Sequence, residues 1–219
     1  MKFRRYIARR AAAIVLALCL AAPLSGCQAQ RLVMTRGFES DELFRIDSQH
    51  CSAGEYRVLL LDLQKQCERL FGHEIWDTAN GGLLKEAVEQ KALSQVSRLK
   101  VMRLIAIRDN IMLTDAEESK AEEAARAFCE ALTKEEKDYL DVSEKEVSGL
   151  YADYLLAQKV YSSIGTSFEE RYNSFCDTLD YDINESVWDA VDLAGVENLT
   201  ETPGFSEIYR EYLENSPSS

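Results

Sequence analysis

Apolar side chains recur at spacings of three and four residues through most of the chain after residue 52, and this pattern predicts amphipathic α-helices. The first predicted helix runs from Ser52 to Gly72. A second helix, roughly 25 residues long, follows the Asn80-Gly81-Gly82 turn and ends near Arg108. Further helices are predicted from Asp115 to about Leu132, from Glu144 to Ile164, from Phe168 to Leu179, and near Phe205–Leu213.

Short segments of different character lie before and after these helices. Leu43–Ile46 and Tyr181–Ile183 have the composition and alternation of strands. The sequence therefore predicts a mostly α fold with one long central helix and two short β segments.

Five predicted helix starts share a capping-box sequence, in which Ser or Thr is followed three residues later by Glu. In a capping box each side chain accepts a hydrogen bond from a backbone N–H group that the helix leaves without a partner. These starts strengthen the prediction of a helical protein. The pairs are Ser52 with Glu55, Thr114 with Glu117, Thr133 with Glu136, Ser143 with Glu146, and Ser167 with Glu170.

The amino terminus has the layout of an export signal. Basic residues precede an apolar run over residues 11–24, which is too short to span a bilayer comfortably. The sequence Leu24-Ser25-Gly26-Cys27 resembles the lipobox of bacterial lipoprotein precursors. This resemblance implies that the Cys27 thiol receives a diacylglycerol and that a peptidase cuts on its amino side. We therefore expect a signal peptide over residues 1–26, and a lipid-anchored mature chain on the outer, extracytoplasmic face of the cytoplasmic membrane.

Charge and motifs exclude several classes of partner. The leader holds five of the 25 Lys and Arg residues, so the mature chain has 20 of them against 38 Asp and Glu, a net charge near −18. Such a surface argues against binding of nucleic acid and against electrostatic attachment to anionic lipid. The sequence has neither of the glycine-rich motifs that hold nucleotide phosphates, so we predict no nucleotide and no cofactor.

The mature length suits one folded domain with short additions. The predicted divisions are a tether over residues 27–41, a helical domain over 42–193, and a C-terminal segment over 194–219 that contains a short amphipathic helix.

Four cysteines follow Cys27. Cys51 and Cys67 lie at opposite ends of the first predicted helix, roughly 20 Å apart, which is beyond the reach of a disulfide. Cys67, Cys129 and Cys176 fall on apolar helical stripes, where a cysteine serves as a small hydrophobic side chain. A bridge between Cys129 and Cys176 is the alternative that stays open.

No catalytic or metal-binding constellation is predicted. His50 precedes a helix start and His73 follows a helix end, and neither is placed by the sequence as a general base for a nucleophile. The acidic run from Asp180 resembles the start of a calcium loop, but Glu185 stands where that loop requires Gly. We therefore predict a protein that is not an enzyme.

A combination of these elements resembles the amino-terminal domain of SurA- and PrsA-type extracytoplasmic foldases, over about residues 42–165. The shared features are the short strand Leu43-Phe44-Arg45-Ile46-Asp47, the capped helix from Cys51-Ser52, the very long second helix that ends near Arg108-Asp109-Asn110-Ile111-Met112-Leu113-Thr114, and the acidic third helix. Tyr181-Asp182-Ile183-Asn184-Glu185-Ser186-Val187-Trp188 is similar to the segment that closes such domains.

This resemblance implies a chaperone with a helical cradle that holds unfolded or newly exported polypeptides. In PrsA-like proteins a parvulin prolyl isomerase domain is inserted after the helix that corresponds to residues 144–164. Only Gly165 and Thr166 separate that helix from Ser167 in this chain, so no isomerase domain fits. We therefore expect the helical polypeptide-binding domain without the prolyl isomerase domain.

Aromatic side chains provide candidate contacts with such a ligand, because they hold apolar segments at a modest cost in ordering. The same side chains would serve equally well in the core. Two alternatives stay open beside the chaperone: an adaptor lipoprotein that binds one specific envelope partner, and a hydrolase with an unrecognised site. The candidate peptide-binding residues are Tyr151, Tyr154, Tyr161, Tyr172 and Trp188.

Overall fold

Three short antiparallel strands lie at one end of the fold in this computed structural model, which describes residues 37–214. Strands β1 (Glu42–Ile46) and β2 (Gln49–Ser52) form a hairpin, and β3 (Tyr181–Ile183) pairs with the other edge of β1. Asp47 adopts a left-handed backbone (φ 48°) in the tight turn between β1 and β2. The predicted signal peptide, Cys27 and most of the predicted tether lie outside the described residues.

Helices make up most of the described chain, which confirms the predicted mostly α fold with one long helix and strands near residues 43–46 and 181–183. Shorter 3₁₀ turns occur at His73–Ile75, Gly165–Ser167 and Leu199–Glu201, and a π-helical turn at Arg210–Glu214. The helices are α1 (Ala53–Phe71), α2 (Gly81–Arg108), α3 (Asp115–Ala131), α4 (Lys134–Leu140), α5 (Glu144–Ile164), α6 (Phe168–Cys176), α7 (Glu185–Trp188) and α8 (Phe205–Tyr209).

Four of the five predicted capping boxes form, at the starts of α1, α3, α4 and α5. The prediction at Ser167 is wrong. Ser167 belongs to the 3₁₀ turn that follows α5, and its backbone (φ −92°, ψ 12°) is not the extended conformation of a capping residue. Its hydroxyl donates to the carbonyl of Ile164 instead.

The core forms where α5 packs against α2 and α3, and where α1 packs against α2. Helix α3 faces this core with Ala121, Ala124, Ala125 and Phe128, all buried. These three small alanine side chains on one face let α3 and α5 approach closely.

No disulfide links the cysteines of the described region. Cys176 is buried and Cys67 and Cys129 are partly buried against the core, which agrees with their prediction as small hydrophobic side chains; Cys51 is buried as well. The alternative of a bridge between Cys129 and Cys176 is not what the structure contains.

Among the helices of residues 37–214, none combines the length and the apolar character needed to cross a membrane.

Candidate functional site

The described part of the C-terminal segment, residues 194–214, lies in a groove between α1, α3 and α5, which we call the segment groove. Strand pairing plays no part in holding it, since the described sheet consists of β1, β2 and β3. Apolar side chains from the segment point into the fold and are buried. These are Ala194, Leu199, Phe205, Ile208 and Tyr209.

Phe205 is the aromatic anchor of the segment. Its ring, 1% exposed, stacks on Tyr151 of α5 with 4.0 Å between centroids and 6° between planes. The edge of Phe128 from α3 and the ring of Tyr154 from α5 complete the pocket, at centroid distances of 5.8 and 5.6 Å. The Tyr151 hydroxyl also donates to the carbonyl of Phe205 at 3.1 Å. One tyrosine therefore holds both the side chain and the main chain of the anchor residue.

Side chains of α1 bind the main chain of the segment directly. The amide of Gln64 accepts a hydrogen bond from the N–H of Ala194 (2.9 Å) and donates to its carbonyl (3.0 Å). The carboxylate of Asp62 accepts from both the N–H and the hydroxyl of Ser206 at 3.1 Å. Two further donors reach main-chain carbonyls: Arg69 that of Thr202 (2.8 Å) and Lys65 that of Pro203 (3.1 Å).

A buried ion pair lies beneath the segment and joins α1 to α4. Lys65 and Glu136 are both fully buried and their charged atoms are 2.7 Å apart. The hydroxyl of Thr202 accepts from Lys65 at 2.6 Å and donates to Glu136 at 2.7 Å. The segment therefore supplies one of the polar partners that a buried pair requires.

Opposing effects set the ionisation of this pair. Burial lowers the pKa of Lys65 more than its contact with Glu136 raises it. Burial would raise the pKa of Glu136, but hydrogen bonds from Lys65, Thr202 and the N–H of Thr133 outweigh burial and keep that pKa below its ordinary value. Glu136 is therefore a carboxylate at neutral pH.

The character of α1 changes along its length. Its first half buries an apolar run over residues 58–61, whereas its second half buries polar side chains where it meets the segment. Burial raises the pKa of Asp62 despite its hydrogen bonds to Ser206 and Gln66. The buried polar side chains of this second half are Asp62, Gln64, Lys65 and Glu68.

The periodicity of the sequence is wrong at the end of this second half. It placed Leu63, Cys67 and Leu70 on the buried stripe; Leu63 and Cys67 do pack against the core, but Leu70 is 73% exposed, whereas the polar Glu68 is buried. The C-terminal segment covers the polar side of the helix, which spacing within α1 alone does not reveal.

Only two of the five predicted aromatic residues, Tyr151 and Tyr154, lie in the segment groove. The others lie elsewhere, so the structure divides the predicted set among three aromatic groups. Tyr161 and Tyr172 both pack on Phe168 of α6, with centroid distances of 4.9 and 5.5 Å, and Trp188 packs on Tyr56 of α1 at 5.4 Å.

The two histidines act as partners of carboxylates. His50 Nδ1 lies 2.7 Å from Glu42 Oε1, and His73 Nδ1 lies 3.2 Å from Glu68 Oε1. Within residues 37–214, no group of three or more His, Cys, Asp or Glu side chains is arranged to hold a metal ion.

Comparison with known proteins yields no match among family models, curated proteins or solved structures. Function is therefore inferred from the geometry of this chain and from its sequence.

The hydroxyl of Tyr209 in the segment groove gives a testable prediction. The hydroxyl of Tyr209 is buried without a hydrogen-bond partner among the described residues, and such a group costs stability. We expect Tyr209→Phe to leave the free energy of unfolding unchanged or to raise it by about 1 kcal/mol. Urea denaturation followed by circular dichroism measures this difference.

Tyr151→Phe is the matched control, because the Tyr151 hydroxyl does have a partner, the carbonyl of Phe205. This second variant should lose about 1 kcal/mol. Equal losses in the two variants would contradict the assignment of the Tyr209 hydroxyl as unpaired.

Proposed function

We propose that this protein is a lipid-anchored extracytoplasmic chaperone-like protein, which binds unfolded or newly exported polypeptides and has no prolyl isomerase activity. The observation that carries the proposal is the way in which the segment groove holds residues 194–214. Phe205 supplies an aromatic anchor beside the other buried apolar side chains of the segment, and six hydrogen bonds join the groove to main-chain atoms of the segment.

Main-chain recognition suits a protein with many clients. Every polypeptide offers the same N–H and carbonyl groups, so Gln64, Arg69 and Tyr151 would meet equivalent partners in ligands of different sequence. The aromatic pocket then adds affinity wherever a ligand has a bulky apolar residue. This combination gives broad specificity with moderate affinity.

Charge supports the same proposal. A mature net charge near −18 keeps a complex with an exposed apolar client soluble, and favours clients that have basic segments. The proposed lipid on Cys27 would hold this acidic surface where exported chains emerge.

A second candidate function is an adaptor that binds one specific folded partner in the envelope. The observation that favours it is that the segment groove is already filled, so the molecule presents a closed surface. An adaptor of this kind would ignore unfolded chains.

The test is suppression of aggregation by residues 28–219, which include every described element. A reduced, unfolded test protein is mixed with this chain at near-stoichiometric ratio without nucleotide, and light scattering is followed. The wild-type chain and a Phe205→Ala variant are both assayed, because the second lacks the anchor of the resident segment. An acidic protein of similar size controls for charge.

We expect at least one of these two chains to suppress scattering in proportion to its concentration. If neither does so while circular dichroism shows both to be folded and helical, the chaperone proposal fails and the adaptor becomes the better account.

A further inference from the structure

We propose that the segment groove is an exchangeable peptide-binding site, that residues 194–214 are its resident ligand, and that clients with an aromatic residue displace them. This inference rests on the proposed function and adds the place of binding and the class of ligand. Three features of the described residues support it: the polarity of the groove, the form of the segment and the fit around the anchor.

The α1 side of the segment groove is polar and can be hydrated when the segment is absent. The second half of α1 meets the segment with polar side chains, including Asp62 and Gln64, whose hydrogen bonds water can replace. Lys65 and Glu136 contact each other directly at 2.7 Å and so join α1 to α4, and water can take the place of the Thr202 hydroxyl between them. The apolar surface that departure would uncover centres on the pocket of Phe205.

The segment has the form of a bound peptide rather than of a structural layer. Residues 191–196 have no regular secondary structure, and the elements that follow are a 3₁₀ turn, the five-residue α8 and a π-helical turn. Such short elements are not stable alone, so the segment depends on the groove for its order. Its covalent attachment gives it a high effective concentration, which an incoming ligand must overcome.

The fit around the anchor defines the ligand. A hydroxyl three residues before the aromatic residue is placed to contact Lys65 and Glu136, as Thr202 does. The residue just before the aromatic one is best a glycine, because a Cβ atom at Gly204 would collide with Asp62 Oδ1 and force that buried carboxylate to move.

Asp62 sets the preference at the position directly after the anchor Phe205. It accepts hydrogen bonds from both the N–H and the hydroxyl of Ser206. The preferred ligand is therefore a flexible polypeptide segment with Ser or Thr, then any residue, then Gly, then an aromatic residue, then Ser or Thr.

The experiment uses a fluorescent synthetic peptide of residues 200–214 and fluorescence anisotropy. The peptide is titrated with the wild-type chain and with Phe205→Ala, both comprising residues 28–219. Loss of the anchor loosens the resident segment but leaves the groove intact, so we expect the variant to bind the peptide at least tenfold more tightly. A peptide that itself carries Phe205→Ala should lose this binding.

Phe168→Ala is the matched control for destabilisation. Phe168 is as buried as Phe205, at 2% exposed, but packs on Tyr161 and Tyr172 away from the groove. This variant should bind the peptide as weakly as the wild-type chain.

Gln64→Ala is the second variant, for use if Phe205→Ala does not fold. Gln64 makes two hydrogen bonds to the main chain of Ala194, which the peptide does not contain. This change therefore loosens the resident segment without removing a contact of the peptide. It should also bind the peptide more tightly than the wild-type chain.

Equal dissociation constants for the wild-type chain and a folded, loosened variant would overturn the exchange proposal. Suppression of aggregation in the same preparations would then show that polypeptide binding occurs at another surface. Tighter peptide binding without suppression of aggregation would instead support the site and contradict the chaperone.

Discussion

Replacing Lys65 by Met is expected to lower the free energy of unfolding by about 3–5 kcal/mol. Lys65 and Glu136 are fully buried, 2.7 Å apart, and share the hydroxyl of Thr202. The substitution leaves the carboxylate of Glu136 in the interior without its cation, and an uncompensated buried charge is far more costly than the loss of a surface pair. Urea denaturation at pH 7, followed by circular dichroism, measures the change.

Two further variants distinguish this effect from simple loss of a lysine. Lys134→Met removes an exposed lysine from α4, the helix that contains Glu136, and should change stability by less than about 0.5 kcal/mol. The double variant Lys65→Met with Glu136→Leu removes both charges together and should recover most of the loss. A cost for Lys65→Met no larger than that for Lys134→Met would contradict the buried pair.

Local signals in the sequence predicted the helices well. A capping box depends on residues three positions apart, and the starts of α1, α3, α4 and α5 follow from that spacing. The length of α2 follows in the same way from its apolar repeat and the turn before it. Strand β2 was missed, because Gln49-His50-Cys51-Ser52 has a polar composition and its pairing depends on β1.

The candidate site could not be predicted in the same way, because it joins distant parts of the chain. Gln64 binds Ala194 across 130 positions and Asp62 binds Ser206 across 144. A lysine or glutamine in an amphipathic helix is ordinarily assigned to the surface. Phe205 was recognised as part of an apolar helical face, but the sequence does not state which surface that face would cover.

Glu136 shows how one residue can be identified for one role and missed for another. Its place three residues after Thr133 predicted a capping box, which the structure confirms. The same carboxylate also pairs with Lys65 of α1, and that contact had no local signal. The likeness to SurA- and PrsA-type domains stays a prediction.

Replacing Glu42 by Gln is expected to remove about 1–2 kcal/mol of stability at pH 7 and progressively less as the pH falls. Burial alone would raise the pKa of Glu42, but hydrogen bonds from Arg45, from the N–H of Glu39 and from His50 outweigh burial and lower the pKa from 4.5 to about 2. The carboxylate is therefore favoured in the folded state. Its contribution is complete above the unfolded pKa and is lost as the pH falls from 4.5 through 2.

Urea denaturation of the wild-type chain and of Glu42→Gln between pH 7 and pH 2 measures this difference, and Glu39→Gln, a change at an exposed neighbour, is the control. We expect the curves of wild type and Glu42→Gln to converge at the acid end, while Glu39→Gln follows the wild type throughout. A constant difference between wild type and Glu42→Gln at every pH would mean that packing, not ionisation, explains the loss.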